Sequence, residues 1–148
     1  MNVAFFLIPK SHVAYLTEGS SFRQGMEKLR RYGYSAIPVV AGDGRYLGSI
    51  SEGDFLWNVM SLGSIASEDL EDACIDQIVS DRTPPVGVNT PLEELMEHLL
   101  DQNFVPVVDD RDMFVGIVTR RSVMAYLMDQ KKRARDANTD WDGGISAG

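Results

Sequence analysis

The sequence predicts a mixed α/β (α+β) fold in which two β-α-β-β-α units pack about a pseudo-twofold axis. The main observation is an internal repeat, because residues 36–54 and 104–122 share a proline, a glycine and a hydroxyl residue at a constant offset of 68 positions. Length is the second observation, since neither half of a 148-residue chain can bury a large core alone. We therefore expect two similar subdomains that lean on each other, with a cleft between them.

The elements of the first unit follow from local patterns. Residues 13–16 read as a short strand, and apolar residues at helical spacing after Ser21 predict an amphipathic helix that Gly33 can end. The β-rich run 34–40, a glycine-rich turn and residues 46–50 predict a hairpin. A second helix is expected to start near Asp54.

The second unit repeats this order. An extended entry at 84–88 precedes a helix, a hairpin formed by 104–108 and 113–118, and a final helix over 121–128. The predicted organisation is a first repeat over 9–66, a connector over 67–80, a second repeat over 81–130 and a tail over 131–148. The tail is polar and glycine-rich, so we expect it to be disordered.

Composition limits the classes of partner. A net charge of −8 disfavours binding to nucleic-acid backbones, which depends on neutralising phosphates. The apolar run at 3–8 is too short to span a bilayer and lacks the flanks of a signal peptide. The lone Cys74 excludes an intramolecular disulfide. We therefore expect a cytoplasmic protein with neither a nucleic-acid nor a membrane partner.

The sequence does not predict an enzyme. Its two histidines, His12 and His98, belong to no group with metal-ligand spacing, and no phosphate-binding glycine loop or nucleophile elbow is present. We expect no catalytic residues, no bound metal and no prosthetic group. The chemistry to explain is therefore that of a reversible binding site.

One candidate binding group lies in the first repeat, where Ser51 and Asp54 flank a predicted helix start. A carboxylate can accept hydrogen bonds from both hydroxyls of a ribose 2′,3′-diol, and free N–H groups at a helix start suit phosphate. The alternative is that both side chains only cap the helix.

The second repeat carries a different group at the same place. Thr119 matches Ser51, Ser122 replaces the aspartate, and Arg120 and Arg121 stand side by side. Cations are unfavourable at a helix start, so an anionic ligand would compensate for them, and guanidinium groups suit phosphate oxygens. Alternatively the arginines are solvated or pair with nearby aspartates.

Together the sequence motifs of the two repeats resemble the cystathionine-beta-synthase (CBS) domain. The resemblance covers roughly residues 9–128 and rests on 33–40 with 48–54, and on 105–109 with 116–121. It implies a tandem CBS pair (a Bateman module) that binds an adenosine-containing ligand between the repeats, changes conformation and signals to a separate effector protein. It also implies homodimers formed through CBS–CBS packing.

The resemblance also suggests the site residues and the ligand. In the family the aspartate holds ribose and the hydroxyl residue lies near phosphate, and Thr119-Arg120-Arg121 is similar to the motif of bacterial CBS proteins that bind cyclic di-AMP. Asp54 favours AMP, ADP or ATP, because a cyclic dinucleotide has no free 2′,3′-diol. Cyclic di-AMP and a ligand-free dimerisation scaffold remain alternatives. The predicted ligand-binding residues are Ala14, Tyr34, Ser35, Ile37, Pro38, Ser51, Asp54, Val105, Thr119, Arg120 and Arg121.

Overall fold

The computed structural model describes residues 1–63 and 67–147. The boundary predicted at residue 66 therefore lies outside the described residues. The helices and strands in chain order are α1 Val3–Phe6, β1 Ile8–Pro9, β2 Leu16–Thr17, α2 Phe22–Tyr32, β3 Ala36–Val40, β4 Tyr46–Ser51, α3 Glu52–Leu62, α4 Ser67–Asp72, β5 Val86–Gly87, α5 Leu92–Asp101, β6 Phe104–Val108, β7 Phe114–Thr119 and α6 Arg120–Ala147.

The two hairpins form where β-branched runs flank a turn. Strand β3 pairs antiparallel with β4, and β6 pairs in the same way with β7. Both pairs shift register at the matching valine, and the matching turn residues Gly44 and Asp112 both have a positive φ. The repeat seen in the sequence is therefore a repeat of backbone geometry.

The first two long helices have well-defined ends. Ser21 and Ser51 each begin a helix with a reciprocal capping box, which satisfies N–H groups that would otherwise lack partners. Gly33 and Gly63 end these helices in the left-handed conformation, in which glycine is favoured because it has no Cβ. The helix predicted after Ser21 and its predicted end at Gly33 are confirmed.

Each repeat exchanges its leading segment with the other. Strand β1, at the N-terminus, pairs with β7 of the second repeat, and α1 packs in the core of that repeat. Ser80, which precedes the second repeat, forms a two-hydrogen-bond bridge with Ser49 of the first repeat. The two sheets have the strand orders β1-β7-β6-β5 and β2-β3-β4.

Three apolar clusters hold the fold. One fills the first repeat around Phe22, Ile37 and Phe55, and another fills the second repeat around Leu95 and Val105. A third joins the repeats and comprises Val13, Val40, Phe114 and Ile117. This shared cluster confirms that the repeats lean on each other, and it brings the starts of several strands together.

The C-terminal segment differs from the prediction. The backbone is helical to Ala147, whereas residues 131–148 were expected to be disordered. The described side chains from Asp129 to 138 are exposed, so packing against the rest of the protein does not stabilise this part of α6. Helix propensity and local ion pairs, such as that of Asp129 with Arg133, stabilise it instead. None of the described helices combines the length and apolar character needed to cross a bilayer.

Candidate ligand-binding cleft

A cavity of about 320 Å³ lies between the two repeats, and we call it the first cleft. Segments from both repeats form it, because β1 and the turn after it lie beside β7 while the starts of β3 and β6 face each other. The lining residues are Ile8, His12, Val13, Gly33, Tyr34, Ser35, Ala36, Pro38, Asn103, Phe104, Ile117 and Thr119. The predicted residues Tyr34, Ser35, Pro38 and Thr119 are therefore brought together.

Three predicted wall residues lie elsewhere. Ile37 and Val105 are fully buried in the cores of the first and second repeats, and Ala14 is buried in the first core. Side chains alternate between the faces of a strand, so Ala36 and Pro38 line the cleft while Ile37 points away from it. The same alternation places Phe104 in the cleft and Val105 in the core.

Thr119 both stands at the start of helix α6 and lines the first cleft. Its Oγ1 accepts a hydrogen bond from the Ser122 backbone N–H at 3.1 Å and shares another with Ser122 Oγ at 2.7 Å. Thr119 thereby caps α6 while its side chain lines the first cleft. The hydroxyl predicted to lie near phosphate is thus positioned by the helix start.

The two arginines that follow Thr119 differ in their contacts. Arg120 Nε donates to the Leu99 carbonyl at 2.8 Å, and Arg120 also reaches the Leu100 carbonyl at 3.4 Å. Its guanidinium is therefore committed to the C-terminal end of α5, where carbonyls lack helical partners. The predicted pairing of the arginines with Asp109, Asp110 or Asp112 is not among the described ion pairs.

Arg121 is exposed and has no ion-pair partner among the described residues. It lines a neighbouring groove of about 500 Å³ with Met124 and Met128, and this groove shares Asn103 and Thr119 with the first cleft. The first cleft and the groove are therefore adjacent. Arg121, for which the described residues supply no ion-pair partner, and the Thr119 hydroxyl residue line the same groove.

Ser51 and Asp54 are not among the described residues that line the first cleft. The Ser51 backbone N–H donates to Asp54 Oδ2 at 2.8 Å, and Ser51 Oγ accepts from the Asp54 N–H at 3.1 Å. Arg82 forms an ion pair with Asp54 Oδ1. The capping alternative accounts for these contacts, and Arg82 adds a partner that the sequence did not suggest.

A hydrogen-bonded cluster lies next to this ion pair. Tyr46 OH donates to the Thr83 carbonyl at 2.7 Å, and the hydroxyls of Ser49 and Thr83 are in direct contact. Burial raises the pKa of Tyr46 to about 12, against an ordinary value near 10. The phenol therefore stays neutral at physiological pH and acts as a donor toward the segment that contains Thr83.

Several cleft residues were absent from the predicted list. Ile8 and Asn103 line the first cleft but lie in no motif, and Ile117 lies in the motif at 116–121 but was not predicted to contact a ligand. The signal available in the sequence was a glycine at the same place in the second strand of each hairpin, Gly48 in β4 and Gly116 in β7. A glycine within a strand often marks the close approach of another backbone segment. Here that segment contains Ser80 or Ile8, respectively.

Comparison with known sequences decides the family. The CBS domain pattern matches residues 7–61 and 75–129, one match for each repeat. The chain belongs to the CBS-domain family. The resemblance to a tandem CBS pair and the α/β class are thereby confirmed, and the two matches coincide with the two structural repeats.

Three CBS-domain proteins resemble this chain over most of its length. Cyclic di-AMP receptor B of Bacillus subtilis (strain 168) is 28% identical over 126 residues, which cover 85% of this chain and 86% of that protein. The structure of CbpB in complex with c-di-AMP has a TM-score of 0.84 at 26% identity, covering 93% of this chain and 91% of that one. Listeria monocytogenes CbpB in complex with c-di-AMP has a TM-score of 0.78 at 29% identity, covering 88% and 97%.

Proposed function

We propose that this CBS pair is a non-catalytic regulatory module that binds cyclic di-AMP in the first cleft and presents an altered surface to an effector protein. The observation that carries the proposal is the first cleft itself, an open and mostly apolar cavity that includes the polar residues Ser35, Asn103 and Thr119 and adjoins the groove lined by Arg121. The binding of cyclic di-AMP by similar CBS proteins supports it further.

The first cleft suits one adenosine unit. Its volume of about 320 Å³ is within the range of small-molecule sites, roughly 300–1,000 Å³. Hydrocarbon and aromatic groups of Val13, Tyr34 and Phe104 can enclose a purine ring, and the strand starts offer backbone groups for its edge. Binding would require no covalent step from the surrounding residues.

The junction between the cleft and the groove suits the phosphates. Thr119 offers a hydroxyl, and Arg121 offers a guanidinium that no described side chain neutralises. Arginine binds phosphate oxygens through paired donors, which compact ammonium groups do not provide. We assign the phosphate contact to Arg121 and a positioning role to Arg120, which ties α6 to the end of α5.

The position of Asp54 changes the balance between the candidate ligands. The preference for a mononucleotide depended on Asp54 as a clamp for a ribose diol, yet Asp54 does not line the first cleft. Both of its carboxylate oxygens already accept hydrogen bonds. A cyclic dinucleotide needs no such clamp and can extend from the cleft into the groove, so cyclic di-AMP becomes the preferred ligand.

Thermal unfolding tests the proposed ligand directly. At 100 times its dissociation constant, a ligand specific for the folded state adds ~2.7 kcal/mol. For a chain of this length the midpoint should rise by roughly 5–10 °C. We expect this shift with cyclic di-AMP, a smaller one with AMP or ATP at equal concentration, and none with cyclic di-GMP.

Other outcomes would contradict the proposal. A larger shift with AMP than with cyclic di-AMP would restore the mononucleotide as the ligand. No shift with any adenine nucleotide at millimolar concentration would favour the ligand-free scaffold. An equal shift with cyclic di-GMP would indicate recognition of the phosphates alone, and would contradict a purine-selective first cleft.

We also propose that the module is a homodimer. Large apolar side chains are exposed on α3 and α6, including Trp57 at 69%, Met60 at 60% and Met128 at 68%. Exposed apolar side chains of this size on two helices are typical of a protein interface. A second copy of the chain presents the same face and can cover it.

Sedimentation at micromolar concentration tests the dimer. We expect the wild-type chain to sediment as a dimer and Trp57→Glu with Met60→Glu to sediment as a monomer, because burying two carboxylates without partners is strongly unfavourable. The matched control is Tyr32→Glu, a change at another exposed aromatic residue outside this face. If the wild-type chain sedimented as a monomer, the proposed dimer would be contradicted, while the proposal of ligand binding would be unaffected.

A further inference from the structure

We propose that each chain binds one nucleotide, because Arg82 and Thr83 hold the second, symmetry-related cleft closed. The inference rests on the proposed function and adds a determinant of stoichiometry and ligand choice. The second cleft is the place between residues 80–85 and strand β4, at the start of α3. It is related to the first cleft by the internal repeat.

The backbone of the two clefts corresponds closely. Ile8 pairs with Ile117 next to Gly116, and Ser80 pairs with Ser49 next to Gly48. A Cβ added at Gly116 would lie 2.1 Å from the Ile8 carbonyl oxygen, and one at Gly48 would lie 2.4 Å from that of Ser80. Both leading segments therefore cross their return strand in the same way. Beyond the crossing the backbones differ, because residues 10–12 form a short 3-10 helix and residues 81–83 do not.

The side chains of β4 and β7 differ at the matching positions. In the first cleft Ile117 presents hydrocarbon to the open cavity. The matching residue in β4 is Ser49, which is 4% exposed and contacts the Thr83 hydroxyl. Tyr46, which matches Phe114, donates to the Thr83 carbonyl at 2.7 Å. Hydrogen bonds thus hold the segment 80–85 against β4. At the matching place beside β7, the first cleft is open.

An ion pair between charged side chains is a second interaction that closes the second cleft. Arg82 lies two residues after Ser80 and pairs with Asp54, whose side chain is only 15% exposed. The matching cation of the first repeat, Lys10, lies two residues after Ile8 and stacks over the Tyr15 ring at 5.0 Å. The residue that matches Asp54 is Ser122, which offers no charge to attract it. Among the described residues, therefore, an ion pair of this kind is found at the second cleft and has no counterpart at the first.

The cavity beside residues 81–85 is a different space. It has a volume of about 330 Å³ and lies toward the hairpin turns, where Arg45 and Asp112 line it. Its lining does not include Ser51, Asp54 or Phe104 among the described residues. The carboxylate best suited to a ribose diol is therefore held by Arg82 and lines neither this cavity nor the first cleft.

Calorimetric titration of the full chain with cyclic di-AMP and with AMP tests the proposal. We expect one ligand per wild-type chain. Ala36→Phe should reduce binding to zero, because it fills the first cleft with the side chain that the matching position, Phe104, already carries in the same fold. Arg82→Ala with Thr83→Ala should add a second AMP site, which Asp54→Ala should then remove.

The control is Arg45→Ala, which removes another exposed arginine with an acidic partner and should leave one ligand per chain. Two ligands per wild-type chain would overturn the inference while the proposed function stands. One ligand retained by Ala36→Phe would instead contradict binding in the first cleft, and would overturn both the inference and the site of the proposed function. A double variant that still binds a single AMP would show that Arg82 and Thr83 do not close the cleft. A wild-type chain that binds neither nucleotide would overturn the proposed function itself.

Discussion

Replacing Gly116 with valine should lower the melting temperature by about 10 °C or more. A Cβ at this position would lie 2.1 Å from the Ile8 carbonyl oxygen and 2.9 Å from Leu7 Cδ1, and the residue has a φ of +156°. Backbone strain costs about 1–3 kcal/mol and overpacking adds about 1–3 kcal/mol. Since native proteins have about 5–15 kcal/mol in total, the loss is a large part of the stability.

The physical cause is the approach of two backbones. Strand β1 pairs with β7 at Pro9 and Gly116, so any side chain on Gly116 must push the N-terminal segment away from the sheet. Ile8, His12 and Val13 belong to or follow that segment and line the first cleft. We therefore expect the remaining folded protein to bind cyclic di-AMP weakly as well.

Gly87→Ala is the matched control for this effect. Gly87 also lies in a strand of the second repeat, but a Cβ there would meet only Thr90 Oγ1 at 3.9 Å. Differential scanning calorimetry should show a midpoint close to that of the wild type. If Gly116→Val melted at the wild-type temperature, the crossing of Ile8 over β7 would be wrong.

Replacing Arg121 with alanine should weaken cyclic di-AMP binding by roughly 10- to 100-fold. A hydrogen bond to a charged group is worth about 1.5–3 kcal/mol, and each 1.4 kcal/mol is about a factor of ten in affinity. Arg121 is exposed and has no ion-pair partner among the described residues, so its removal leaves no buried group unpaired. The melting temperature of the free protein should therefore change little.

Titration calorimetry of three variants separates charge from geometry. Arg121→Lys should recover part of the affinity, since it keeps the charge but not the paired donors. Arg111→Ala removes an exposed arginine from the turn between β6 and β7 and should bind like the wild type. Unchanged affinity in Arg121→Ala would contradict the assignment of the phosphate contact to this residue.

The hairpins were predictable because their signals are local. A run such as Ala36–Val40 is rich in β-branched residues and ends at a turn, and the second copy at Phe104–Val108 repeats the pattern. The helix from Phe22 was equally marked, by Ser21 before it and Gly33 after it. Repetition at a constant offset strengthened each of these predictions, because one pattern supported the other.

The composition of the cleft was less predictable because it depends on contacts between distant segments. Nothing near Ile8 indicates that it pairs with Ile117, and nothing near Arg82 indicates that it meets Asp54. The motif around Asp54 therefore suggested a ribose contact where the structure has an internal ion pair. Alternation along β3 would have excluded Ile37 from the wall, had the buried face of the strand been known.

The exchange of leading segments also limits how this chain can be divided. Each sheet is completed by a stretch that belongs, in sequence, to the opposite half: β1 joins the sheet of the second repeat, and Ser80 joins that of the first. A half-length polypeptide would display a bare sheet edge, open to pairing with any strand nearby. Two such halves could restore the missing hydrogen bonds only by lending these stretches to each other, as subunits of a strand-swapped assembly do.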